Sequence, residues 1–152
     1  MIKPEDLRIG DLVRVCRDCA FPEGSVCIVT QINPERTYKK KTGVVTLNYA
    51  DGTDDGPWGV WCCNIEGVPL TSEILEKSDF KIIFSERYYT QSMDDTLRCH
   101  KQYISIERKR SDWAVFIKYE HLPDHVLIRH IHYVHELQHI LWALGMNANI
   151  KI

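Results

Sequence analysis

The sequence predicts an α+β protein, and three observations carry that reading. Short segments rich in β-branched and aromatic residues recur from the start of the chain to about residue 128, separated by Gly, Pro, Asn and Asp. Helix signals fall in only two places, a short one after Thr71 and a longer one from Tyr133 to Leu144. With 152 residues, 44% of them apolar and 26% charged, the composition is that of an ordinary globular protein, long enough for one core or two very small ones.

Residues 1–69 read as a β-rich part, a small SH3-like barrel or meander. Leu7, Ile9, Leu12, Val13 and Val15 surround a Gly10-Asp11 turn, and 26–32 and 44–49 are the next strands. Turns are expected at Pro22-Glu23-Gly24, Asn33-Pro34 and Asp51-Gly52. Residues 70–152 read as an α+β part, and no long linker separates the two. Thr71 is a good N-cap, Leu70 and Leu75 are placed for a hydrophobic staple, and Glu73 suits the positive end of the helix dipole, so a helix should run to about Ser78. Segments 80–89, 102–108 and 113–119 then form an antiparallel sheet, 126–128 a last strand, and Tyr133 to Leu144 an amphipathic helix closed by Gly145.

That last helix carries His135-Glu136-Leu137-Gln138-His139, a match to H-E-x-x-H. Imidazoles four residues apart lie one turn above each other, so His135 and His139 could share a zinc ion while Glu136 serves as general base on its water. Against this, six of the seven histidines fall between 121 and 139, where such a pattern arises by chance on the order of one time in ten. A catalytic zinc needs a third protein ligand. Trp142 and Gly145 stand where an extended motif would continue, and no Asp, Glu, His or Cys follows His139. It would have to come from upstream, with His121, His125 or Cys99 as candidates. On a helical wheel the apolar stripe is Val134, Leu137, Leu141 and Leu144, flanked by Tyr133 and Ile140, and His132, His135 and His139 point away from it, with Trp142 on the same outward side. These four residues are the expected partner face.

Three segments resemble one family. Leu7 to Val13 (LRIGDLV), Val68 to Leu75 (VPLTSEIL) and Tyr133 to Leu144 (YVHELQHILWAL) are similar, in the same order, to small proteins of gut Bacteroides-type bacteria and their prophages or mobile elements. Those proteins carry an LRIGNLV opening, a PLTEE helix and a YVHQLQNLYFAL closing helix, and as a family have no established activity. The resemblance implies Gln where Glu136 stands and Asn where His139 stands. It therefore shares the packing stripe rather than the metal motif, and no functional residue carries over.

Lesser signals have simpler readings. Cys16-Arg17-Asp18-Cys19 with Cys62 and Cys63 could imitate a zinc knuckle, but adjacent cysteines in a strand point to opposite faces. Asp51 to Gly56 imitates half a calcium loop, with Cys62 where the bidentate Glu belongs, and reads as an acidic turn. Arg36, Lys39, Lys40 and Lys41 surround Tyr38, the composition of a nucleic-acid-binding loop and also of a solubilising hairpin tip. The first 69 residues as a whole carry 8 Lys and Arg against 10 Asp and Glu, and the chain's net charge is -2, which argues against a dedicated nucleic-acid binder.

No apolar run approaches the roughly 18 residues of a membrane span and the start lacks a signal-peptide core, so a cytoplasmic protein with reduced thiols and no membrane partner is expected. The favoured expectation is a small interaction or accessory protein of a phage or mobile element, without catalysis or cofactor, binding another protein or a second copy. The alternatives are a zinc-dependent hydrolase built on 135–139 and a nucleic-acid-binding module built on 36–41.

Overall fold

The computed structural model describes residues 2–17, 20–53, 57–84, 88–93, 102–119 and 124–152. The chain is α+β and divides into two compact units, Met1–Val68 and Pro69–Ile152.

In the first unit, β1 (Leu12–Val15), β2 (Val26–Tyr38), β3 (Lys41–Tyr49) and β4 (Trp58–Trp61) pair in sequence as an antiparallel meander. A 3-10 turn at Cys62–Asn64 then returns the chain so that β5 (Ile65–Gly67) pairs with β1, giving the order β4-β3-β2-β1-β5. The order suits an SH3-like sheet, but the expected barrel is not closed. Among the described residues the outer strands β4 and β5 pair only with β3 and β1.

Alternation puts Val13, Val15, Cys27, Val29, Val45, Leu47, Val60 and Ile65 into one core, joined by Leu7 and Phe21 from the loops. On the solvent side Arg14 faces Glu66 across the β1–β5 pair, with Nε 2.9 Å from the carboxylate. Leu7 to Val13 forms a tight turn in which Asp11 is buried and accepts the backbone N–H of Arg8 at 2.7 Å.

Two expectations are corrected here. Asn33-Pro34 does not end a strand, because β2 runs on to Tyr38 and absorbs the pair as a bulge, with the Asn33 side chain accepting the N–H of Arg36 at 3.1 Å. Cys62 and Cys63 lie in a 3-10 turn rather than a strand. Gly43, in β3, is needed twice over: its φ is +77°, and a Cβ there would lie 2.2 Å from Pro4 Cγ, in the short 3-10 segment Pro4–Asp6.

The second unit opens with α1 (Ser72–Lys77), capped as expected by the Thr71 side chain, which accepts from the N–H of Ile74 at 3.3 Å, and ended by Ser78. A five-stranded antiparallel meander follows: β6 (Lys81–Phe84), β7 (Tyr88–Met93), β8 (Gln102–Lys109), β9 (Asp112–Tyr119) and β10 (His125–Ile131). The expected single strand over 80–89 is two strands, since Lys81 to Phe84 pairs back on Tyr88 to Thr90. Apolar runs alone cannot show where a chain reverses.

The closing helix α2 (Val134–Ala143) ends in a Schellman motif: Met146 N–H donates to Leu141 at 2.8 Å, Gly145 N–H to Trp142 at 3.0 Å, and Gly145 has φ +69°. The lead into α1 and the start of α2 are tied together. Pro69 bridges Tyr133, Leu70 N–H donates to the His132 carbonyl at 2.9 Å, and the buried Trp113 indole donates to the Leu70 carbonyl at 2.9 Å. The terminal segment turns back, with Gln138 donating to the Ala148 carbonyl at 3.3 Å and Lys151 N–H to Ser78 Oγ at 2.9 Å.

Candidate functional site

Two places merit consideration, one in each unit. In α2 the residues buried are Val134, His135, Leu137, Gln138, Ile140 and Leu141, an arc of roughly 220° at 100° per residue. The arc is wider than the apolar stripe and its flanks, because it takes in His135 and Gln138. His135 is only 5% exposed and so does not belong to an exposed partner face, whereas His132 and Trp142 are exposed and His139 is half-buried. The His135 ring stacks on Tyr133, with centroids 5.7 Å apart, and meets His139 edge-on at 5.9 Å.

The helical spacing therefore does bring His135 and His139 together. Glu136 is engaged elsewhere. Glu136 Oε2 accepts the backbone N–H groups of His132 and Tyr133, at 2.7 and 3.0 Å, while Oε1 lies 3.6 Å from the Arg129 guanidinium. As the third residue of the helix, Glu136 bends back to satisfy donors that the helix itself leaves open. A carboxylate held this way faces the chain preceding the helix, with one oxygen taken up by two backbone donors and the other in an ion pair. Among the described residues no three His, Cys, Asp or Glu side chains gather as a metal site. His125 sits at the start of β10 with its ring 6.1 Å from Phe116, and His121 and Cys99 lie outside the described residues.

The signal for the role of Glu136 was in the sequence. A Glu three residues after a helix boundary is the capping position, and the boundary at Tyr133 was legible. Arg129 could not be read, because its approach depends on how β10 leads into α2.

In the first unit the β2–β3 hairpin turns at Lys39 and Lys40, between the paired residues Tyr38 and Lys41. Lys39 has φ +55°, the left-handed backbone that a two-residue hairpin turn demands. Arg36, Tyr38, Lys39 and Lys40 are exposed and Lys41 is half-buried, so the structure gathers all five residues of the basic segment at one ribbon tip. Sequence reasoning missed Trp61. From β4 its ring stacks near-parallel to Tyr38, with centroids 6.5 Å apart and planes 28° from each other. Tyr38 remains 60% exposed, and the Lys39 ammonium lies 5.4 Å from its ring centroid. The Trp-Gly-Val-Trp run was the available signal, but its strand pairing was not evident.

Among the described residues the cysteine and calcium candidates form no group of three metal-capable side chains. Cys62 is buried, and burial beside Cys63 pushes its thiol up to about 11, the opposite of what a thiolate ligand needs. Cys16 and Cys63 are half-buried, and Cys19 lies outside the described residues. The Asp51 side chain is taken up by the N–H and hydroxyl of Thr53, the former at 3.0 Å, in an Asx turn, and 54–56 lie outside the described residues.

No helix among the described residues is long and apolar enough to cross a membrane. Comparisons of the chain with protein-family models, curated proteins and solved structures returned no match.

Proposed function

We propose that this chain acts by binding rather than by bond-making, as a small non-catalytic interaction protein whose β2–β3 ribbon tip receives an anionic partner. The observation that carries this reading is the segregation of charge. Half of the basic residues of the first unit fall within six positions, 36–41, and along β2, β3 and β4 they are opposed by one acid, Glu35. A net acidic chain can still attract an anion locally when its cations are gathered on a protruding element.

The competing hydrolase reading asks Glu136 to be a free base, and its commitment to the helix N-terminus speaks against that role. The binding reading needs no cofactor, and it suits a cytoplasmic protein whose six cysteines are too few and too unevenly spaced for a disulfide scaffold. The resemblance to the Bacteroides-type family supplies no chemistry that competes with it.

The test is titration of untagged full-length protein with inorganic polyphosphate at low ionic strength. Salt-sensitive binding that is lost when Lys39, Lys40 and Lys41 are changed together to Gln is expected. A flat titration overturns the anionic reading. Peptide or ester turnover that disappears in Glu136→Gln overturns the non-catalytic one.

A further inference from the structure

We infer that the anionic partner is a single-stranded nucleic acid, its phosphates meeting Lys39, Lys40 and Lys41 and its bases stacking at Tyr38 and Trp61. This rests on the reading of the ribbon tip as a binding surface and adds the chemical class of the ligand. Cations alone would accept any polyanion. What distinguishes this tip is the pair of flat rings set among them.

At this tip the Tyr38 ring is left 60% exposed, beside the cations of the turn. Here the ring is held in place. Tyr38 is paired with Lys41 in the last register position of the hairpin, and the Trp61 ring from the neighbouring strand stacks near-parallel to it at 6.5 Å. With Trp61 stacked against Tyr38 and the mobile Lys39 side chain reaching over the Tyr38 ring, an unpaired base can displace the lysine from the ring face while its phosphate takes up the ammonium.

A duplex hides its base faces within its own stack and could use only the charges. An acidic peptide offers carboxylates to the lysines but no plane for the rings. Stacking on a ring face is open to every base, so sequence-tolerant binding is expected.

The experiment measures fluorescence anisotropy of labelled ten-nucleotide oligomers with the untagged full chain. The probes are an oligothymidylate, an abasic strand with the same number of phosphates, a duplex of the same length and an acidic decapeptide. The oligothymidylate should bind at least about tenfold more tightly than the abasic strand, the gain of one well-stacked base. Its log affinity should fall with log salt with a slope of roughly -2 to -3, as expected for three or four phosphate contacts on a single strand.

Tyr38→Ala, at an exposed position, should erase the advantage over the abasic strand while leaving abasic binding in place. Trp61→Phe, which keeps a ring in the half-buried position, should retain most of it. Equal affinity for the two strands, an unchanged ratio in Tyr38→Ala, or tighter binding of the duplex or the peptide overturns the inference. Those outcomes leave the anionic reading standing if polyphosphate binds through the lysines. Absence of binding to every anion overturns both.

Discussion

Glu136 accepts the backbone N–H of Tyr133 at 3.0 Å, closing the first turn of α2 on itself. The same oxygen takes the N–H of His132, so one carboxylate satisfies two donors at a helix end where few other acceptors are in reach. Glu136→Ala should lower the opening free energy of α2 by about 1–2 kcal/mol, in the range of lost N-terminal caps. Glu136→Gln, which keeps an acceptor oxygen, should cost less than half of that. Amide hydrogen exchange of Leu137 to Leu141 reads both effects, and equal protection in the wild type and the alanine variant would contradict the capping role.

Gly43 lies directly against the Pro4 ring. An added methyl group would sit 2.2 Å from Pro4 Cγ and 3.1 Å from Cys62 Sγ, on a backbone with φ +77°. Left-handed backbone costs a non-glycine residue roughly 1–2 kcal/mol and overpacking adds about 1–3. Gly43→Ala should therefore destabilise the first unit by roughly 2–5 kcal/mol in urea unfolding. Pro4→Ala removes the nearer obstacle and should recover part of the loss in the Gly43→Ala background, while giving no gain alone. A double-mutant cycle with no coupling would show that the contact is not the cause.

What could be read from the sequence was whatever depends on neighbours along the chain. Thr71 as a cap, Gly145 as the left-handed residue after α2, and the Gly10-Asp11 and Asp51-Gly52 turns all depend on a few consecutive residues. Strand pairing is a long-range choice, which is why 80–89 read as one strand and Asn33-Pro34 as a turn. Pro34 sits within a bulge where no ladder hydrogen bond is asked of it. The candidate sites divide in the same way. The proximity of His135 and His139 follows from helical periodicity alone. The burial of His135 depends on what surrounds the helix, and the meeting of Tyr38 with Trp61 depends on β3 standing between their two strands. Glu136 is the instructive case: it was read only as part of H-E-x-x-H, while its place three residues after Tyr133 also suited the capping contacts it makes.

Asp51 provides a local test of the reading of 51–56 as a turn. Hydrogen bonds from the Thr53 hydroxyl and N–H favour the ionised carboxylate and hold it below its ordinary value of 3.8. A depressed acid contributes stability above its unfolded pKa and loses it as pH falls through the folded value. Thr53→Ala removes the hydroxyl but keeps the N–H, so the Asp51 titration, followed by carboxyl carbon chemical shift, should move part of the way back toward 3.8. A titration already at the ordinary value in the wild type would show that the turn is not formed.

Cys62 should behave oppositely to Cys63, its neighbour in the same 3-10 turn. Cys62 is 2% exposed within the core of the first unit, and desolvation, followed by the proximity of Cys63, raises its thiol from 9.0 to about 11. Cys63 is half-buried, with its sulfur 3.4 Å from Asn64 Oδ1. Because Cys62 is shut into the core with its thiol pushed up while Cys63 is partly accessible, a thiol reagent at pH 8.5 should modify Cys63 in the folded protein and Cys62 only after unfolding, as mapped by peptide mass. The sign of the pH effect follows from the raised value. The unfolded chain releases the Cys62 proton near pH 9 while the folded chain holds it to about 11. This contribution to stability is complete below pH 9 and is lost as pH rises through 11. In Cys62→Ala the decline of stability across that interval should be shallower than in the wild type, whatever the variant's stability at neutral pH. Parallel declines, or equal labelling rates for the two cysteines, would place Cys62 outside the core.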